Sequence, residues 1–156
     1  MKKQLINLLI AKSILDTLLV GTIAVAVYLN AFPPTLHGWG EAVAESQTIS
    51  GWVVSDAHPW QRLEVQLFID GKLIGNQVAN DARPDVLAAG WARDEWHGYN
   101  FVWLSGFVGG IHEAKVYALH PSADGARYTL QLVGDPIRFQ VKADGSWGAD
   151  DADVRR

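Results

Sequence analysis

Hydrophobic and polar positions follow two regimes along this chain. Ser13 to Phe32 is a run of twenty residues with a single charge, Asp16, and apolar character already begins in Leu5-Ile6 and Leu8-Leu9-Ile10. At about 1.5 Å per residue, a helix of that length covers the roughly 30 Å of a hydrocarbon core. Beyond Gly38-Trp39-Gly40 the pattern changes to short runs separated by turn residues. Leu63–Ile69 alternates, with Leu63, Val65, Leu67 and Ile69 on one face and Glu64, Gln66 and Phe68 on the other. That is the period of a half-buried strand. Thr48–Val54, Lys72–Ala79, Tyr99–Leu104, His112–Leu119, Tyr128–Val133 and Ile137–Val141 also read as strands.

Asp70-Gly71 between two of these runs predicts a hairpin with a type I′ turn, whose central residues both need positive φ. Asn80–Gly90 is the main break, and Pro84 suits the first turn of a short helix carrying Val86-Leu87-Ala88-Ala89. Seven short strands at this spacing predict an all-β domain, a seven-stranded immunoglobulin-like Greek-key sandwich preceded by one N-terminal transmembrane helix. The expected organisation is a cytoplasmic N-terminus and signal-anchor helix over 1–32, a linker over 33–46, the sandwich over 47–141 and a disordered acidic tail over 142–156.

Charge orients the helix. Lys2, Lys3 and Lys12 precede the apolar run, and the next Lys or Arg is Arg62. This asymmetry places the N-terminus in the cytoplasm and the rest outside it, as expected for a bacterial inner-membrane protein with a periplasmic or extracytoplasmic domain. Ala24-Val25-Ala26 and Leu29-Asn30-Ala31 offer signal-peptidase-like sites. Asp16 interrupts the apolar region the first would use, and Leu29 stands where the second needs a small residue; both favour an uncleaved anchor. Lys12 and Asp16 are four apart on one helix face and suited to pair. At the membrane interface they need no partner; deeper in the bilayer they need one from another membrane protein. Thr17/Gly21 and Thr22/Ala26 have the small-xxx-small spacing of packed membrane helices.

Composition removes several classes of function. The chain has no cysteine, which excludes thiol chemistry, disulfides and cysteine-bound metals. Residues 1–32 carry a net +2 and the remainder −6, an acidic balance that argues against nucleic acid. The five histidines, His37, His58, His97, His112 and His120, are scattered without metal-ligand spacing. No nucleophile elbow, phosphate-binding loop or dinucleotide fingerprint is present. No cofactor and no metal are expected, and a non-enzymatic role is the reading.

Gly51-Trp52, Asp70-Gly71, Ala79 before Arg83-Pro84-Asp85-Val86, His97-Gly98-Tyr99-Asn100-Phe101 and Gly134-Asp135-Pro136 occur in that order. This series resembles a β-sandwich module that recurs in bacterial envelope and exported proteins, often beside glycan-active or glycosyltransferase domains. The resemblance covers roughly Gln47–Val141. It implies an accessory or binding role and brings no catalytic residue with it.

Candidate binding residues follow from loop position and chemistry. Arg83 and Asp85 flank Pro84; they read either as a ligand clamp or as turn chemistry, Arg83 tying the loop to carbonyls and Asp85 capping the helix. Trp60, Trp91 and Trp96 fall in loops, where indoles can contact protein, be partly buried or stack on sugar rings. His97 reads as a turn residue or a ligand contact. Trp39 suits the membrane interface, while Trp52 and Trp103 lie in strands and read as core. The leading expectation is a single-pass accessory subunit, held in the bilayer, whose outer sandwich contacts partner membrane proteins in a larger assembly. The alternative is a membrane-tethered glycan-binding module of the bacterial envelope.

Overall fold

The computed structural model describes residues 2–31, 35–102, 106–121 and 128–149. Expectations that fall on Phe32 to Pro34, Trp103, Leu104, the turn after Pro121 and residues 150–156 lie outside the described residues. The chain divides into two compact units, Met1–Pro33 and Pro34–Arg156.

The first unit is helix α1, Lys2–Ala31. Lys3–Tyr28 is long and apolar enough to cross a membrane, a property that an anchor and a signal sequence share. The helix starts eleven residues before Ser13 because the apolar residues Leu5 to Ile10 continue the pattern. Lys12 and Asp16 therefore lie inside the apolar stretch; they pair at 3.3 Å. Thr17 and Thr22 donate their hydroxyls to the carbonyls of Ser13 and Leu18, each at 2.8 Å. Such back-bonding satisfies a hydroxyl within its own helix.

The second unit is two packed sheets. In chain order its elements are β1 Leu36–Val43, β2 Thr48–Ser55, β3 Glu64–Ile69, β4 Lys72–Val78, β5 Asp81–Ala82, α2 Pro84–Ala88, β6 Trp96–Phe101, β7 Gly110–Pro121, β8 Tyr128–Leu132, β9 Ile137–Val141 and β10 Trp147–Ala149. The first sheet has the order β1-β2-β6-β5; the second has β10-β9-β7-β3-β4, with β8 pairing to β7. Among the described residues the strands pair antiparallel throughout. The described residues thus hold ten strands where seven were expected. The three additions are short or poor in apolar residues: β1 lies within the expected linker, β5 has two residues, and β10 lies within the expected tail.

Alternation decides the core. Val65, Leu67 and Ile69 of β3 and Ala114, Val116 and Ala118 of β7 point inward and meet Ile49, Val53, Tyr99 and Phe101 of the first sheet. Trp147 of β10 stacks on Phe139 with ring centres 4.2 Å apart, closing one end of that core. Tyr99 lies over the paired glycines Gly40 and Gly51, and its hydroxyl donates to the Trp39 carbonyl at 3.2 Å. A methyl group at Gly51 would run into both that carbonyl and the Tyr99 ring.

The β3–β4 hairpin has the expected turn: Asp70 and Gly71 take φ of +50° and +77°, and Ile69 pairs with Lys72. Asp70 also pins the turn to β7. Its Oδ1 accepts from the Glu113 amide at 3.1 Å, and its Oδ2 lies 2.6 Å from His112 Nδ1. His112 Nε2 lies 2.8 Å from the Val108 carbonyl. With an acceptor on each nitrogen, the ring favours its cationic form; the Asp70 hydrogen bond is the main cause raising its pKa, and the same bond is the main cause lowering that of Asp70.

A raised histidine contributes stability that is full below its unfolded value, about 6.5, and is lost as pH rises through the folded value. A lowered aspartate contributes stability that is full above about 3.9 and is lost as pH falls through its folded value. The pair therefore stabilises most between those limits. Thermal melts across pH should show that contribution fading on the alkaline side. In Asp70→Asn, which keeps a turn-forming Asn-Gly pair, the fade should shrink to what the Val108 carbonyl alone sustains. Gly51→Ala should cost about 1–3 kcal/mol in denaturant unfolding, from overpacking.

Candidate functional site

The candidate site is built on the outer face of the first sheet, and side-chain parity decides its members. Gly38, Gly40 and Ala42 of β1 oppose Val53, Gly51 and Ile49 on the inner face. His37, Trp39 and Glu41 therefore face outward, opposite Val54, Trp52 and Ser50. On the other side of β2, Trp52 opposes Gly98 and Ser50 opposes Asn100. One rung across the sheet thus reads Trp39, Trp52, Gly98, and the next reads Glu41, Ser50, Asn100.

Gly98 has no side chain, and Arg83 occupies the space: a β-carbon at Gly98 would lie 2.8 Å from Arg83 Cγ. Arg83 donates from Nε and Nη2 to the two carboxylate oxygens of Asp85, at 2.9 and 2.7 Å. This forked pair, set mainly by the guanidinium hydrogen bonds, holds the Asp85 carboxyl down to about 2. In the structure the guanidinium ties to Asp85 itself. Arg83 is the residue before α2 and gives it no side-chain cap, and Asp85 sits in the first turn beside the positive helix end.

Helix α2 and its exit place the third indole. Gly90 donates its amide to the Leu87 carbonyl at 3.0 Å, and Trp91 donates its own to Val86 at 3.2 Å. These two bonds form a Schellman motif, which needs a left-handed residue; Gly90 has φ of +79°. Val86 and Ala92 then bury against Val54, with Trp52 packed beside them. The Trp91 ring meets Trp52 with centres 6.3 Å apart and meets His37 at 4.6 Å. His37 Nε2 is itself 2.9 Å from Asp56 Oδ1.

The structure thus joins Trp39, Arg83, Asp85 and Trp91 to one face and leaves Trp60, Trp96 and His97 elsewhere. Trp60 and Trp96 are exposed, with no ring contact to that row. Trp39, expected at a membrane interface, lies in register with Trp52. Trp52, expected in the core, is half-buried on the outer face. His97 lies in β6, not in a turn, and is wholly buried on the inner side. Its Nε2 is 3.2 Å from Asp94 Oδ1. Burial pushes its pKa down, with Asp94 opposing and Arg62 adding to that shift. Asp94 also accepts from Arg62 Nη2 at 3.1 Å and from the Trp96 amide at 3.0 Å.

Arg62 and Asp94 escaped the sequence reading because nothing local links residues thirty-two apart. Trp52 escaped because strand membership does not say which face a residue takes. Among the described residues, no group of three or more His, Asp or Glu is placed to hold a metal ion.

No protein-family model matches the chain, and no curated protein matches it. Among solved structures it is similar to the family 28 exopolygalacturonase of Yersinia enterocolitica, at 19% identity and a TM-score of 0.35. That likeness covers 71% of this chain and 20% of the enzyme, so the chain spans a fifth of that protein's length. At that TM-score the likeness has no bearing on function.

The Gly90 turn offers a clean test of how Trp91 is placed. No atom lies within 4 Å of where a β-carbon would be added at Gly90, so Gly90→Ala is penalised through the backbone alone, by about 1–2 kcal/mol. Denaturant unfolding should show that loss, with a change in tryptophan emission as Trp91 moves off His37.

Proposed function

We propose that the chain is a membrane-tethered accessory protein. The apolar helix holds it in a bacterial inner membrane with the N-terminus cytoplasmic, and the extracytoplasmic sandwich makes protein–protein contact within a larger membrane assembly. The observation that carries this reading is the outer face of the second sheet. Phe68 and Tyr117 meet there edge to face, with ring centres 5.5 Å apart. Leu119 opposes Leu130 and Tyr117 opposes Leu132, so the apolar surface continues onto β8. Leu130 and Tyr128 are exposed.

An open groove of about 420 Å³ is lined by Phe68, Gly71, Glu113, Lys115, Tyr117 and Leu130. Lys115 and Arg138 both lie against Glu113, at 2.6 and 4.0 Å, and form a charged border. Apolar anchors beside a charged rim are the anatomy of a protein interface. The helix adds support. Its threonine hydroxyls are satisfied internally, and among the described residues nothing lies within 4 Å of a β-carbon added at Gly21, so that glycine leaves room for a neighbouring helix.

The immunoglobulin-like reading of the sandwich belongs to the same proposal, with the resemblance to the envelope module. What supports it is strand order. β1-β2-β6-β5 against β9-β7-β3-β4 matches the A-B-E-D sheet facing a G-F-C sheet extended by one strand.

Purification of the tagged chain from native membranes should recover a defined partner in fixed ratio. Leu130→Glu should fold with unchanged melting temperature and lose that partner, and Gly21→Leu should weaken recovery without altering the sandwich. A reproducibly lone monomer would sink the proposal.

A further inference from the structure

The row of outer-facing indoles on the first sheet plays no part in that docking face. Trp39 and Trp52 are opposed in register, and Trp91 continues from Trp52 with ring planes 32° from parallel. Trp39 and Trp91 are 46% and 49% exposed. Polar groups border the row. Glu41, Ser50 and Asn100 form the neighbouring rung, and Arg83 with Asp85 lies beyond Trp52 over Gly98.

We propose that this face binds an uncharged glycan built of pyranoses with equatorial hydroxyls, a gluco-configured oligosaccharide. Such a ring turns C–H bonds to both of its faces, and these lie flat on the negative π-face of an indole. Its hydroxyls leave sideways, toward the height at which Glu41, Ser50, Asn100 and Asp85 present acceptors and donors. A row of indoles fits a chain of sugar rings better than a single ring.

Charge narrows the ligand further. Glu41, Asp56 and Asp85 stand about the row, and both the Nε and the Nη2 of Arg83 are already taken by Asp85. A uronate or phosphate placed here would face carboxylates across a surface whose one guanidinium is already charge-paired with Asp85, a like-charge juxtaposition that disfavours it. A protein partner fits less well. Glu41 and the Arg83–Asp85 pair stand beside the indoles, and charged residues are depleted at the core of a protein interface. The site is independent of the docking face, so failure of one leaves the other standing.

The test uses the full chain in lipid nanodiscs, free of sugar-headed detergent. Cellohexaose, chitohexaose and an oligogalacturonate are titrated by calorimetry and by tryptophan fluorescence. At least one neutral hexamer should bind saturably with a change in emission, and the oligogalacturonate should bind at least about tenfold more weakly. Trp39→Ala and Trp91→Ala should each lower affinity by about tenfold, the scale of one lost aromatic contact. Trp39→Tyr should retain most of the affinity. If Trp91→Ala loses its fold, Trp39→Ala carries the test, since that ring lies outside the cluster of Val54, Val86 and Ala92. Absence of saturable binding by both neutral hexamers, equal binding of the acidic one, or wild-type affinity in Trp39→Ala would each overturn the proposal. So would a captured protein that Trp39→Ala releases.

Discussion

Tyr99 fills the space that Gly40 and Gly51, paired across β1 and β2, leave on the inner face of the first sheet. Its hydroxyl reaches the Trp39 carbonyl, so the phenol ties β6 to β1 across β2. Burial pushes the pKa of this phenol well up, which keeps it neutral and able to donate. Because side chains alternate with a period of two, a one-residue slip of β1 would turn every one of its residues over. Trp39 and Glu41 would point inward and the glycines outward, leaving Tyr99 no room. The inner packing of one tyrosine therefore holds the outer face in register.

The two sheets share a core yet present different chemistry outside. The first sheet shows indoles with polar and acidic neighbours; the second shows Phe68, Tyr117 and the β8 leucines beside a charged border. Both faces are positioned by contacts made elsewhere. The hairpin that carries Phe68 is held to β7 by the Asp70 carboxylate through Glu113 and His112. Trp91 is held by the cap of α2 and by His37. In each case a turn whose geometry is local fixes a side chain whose neighbours are distant.

That distinction explains what could be read from the sequence. β3 and β9 were legible because alternation over five or six residues with one buried face is a local pattern. The Asp70-Gly71 turn was legible because positive φ demands particular residues. β1 was read as a linker because Gly38 and Gly40, which exist to admit Val133 and Tyr99, look like loop glycines without their partners. β10 was read as tail because its single core residue, Trp147, is recognisable only beside Phe139. The site suffered most. His97 is buried and Trp52 faces outward because of register, a long-range quantity, and no spacing along the chain encodes that Trp39 opposes Trp52.

An exposed indole by itself needs no explanation, and Trp60 has none here. The indole row is different because the chain constrains it. Trp91 requires a left-handed glycine, two capping hydrogen bonds and a ring contact from His37, which Asp56 in turn holds. Trp52 lies on the buried pair Val54 and Val86, and Trp39 inherits its direction from the glycine register beneath Tyr99. Fixing a large side chain on a surface sacrifices rotamer freedom without the compensation of full burial. Orientation of that kind is useful to a ligand that must meet flat surfaces already in place, since a binding surface ordered in advance loses less entropy when occupied. The placement of these residues, more than their number, is what the proposed glycan face rests on.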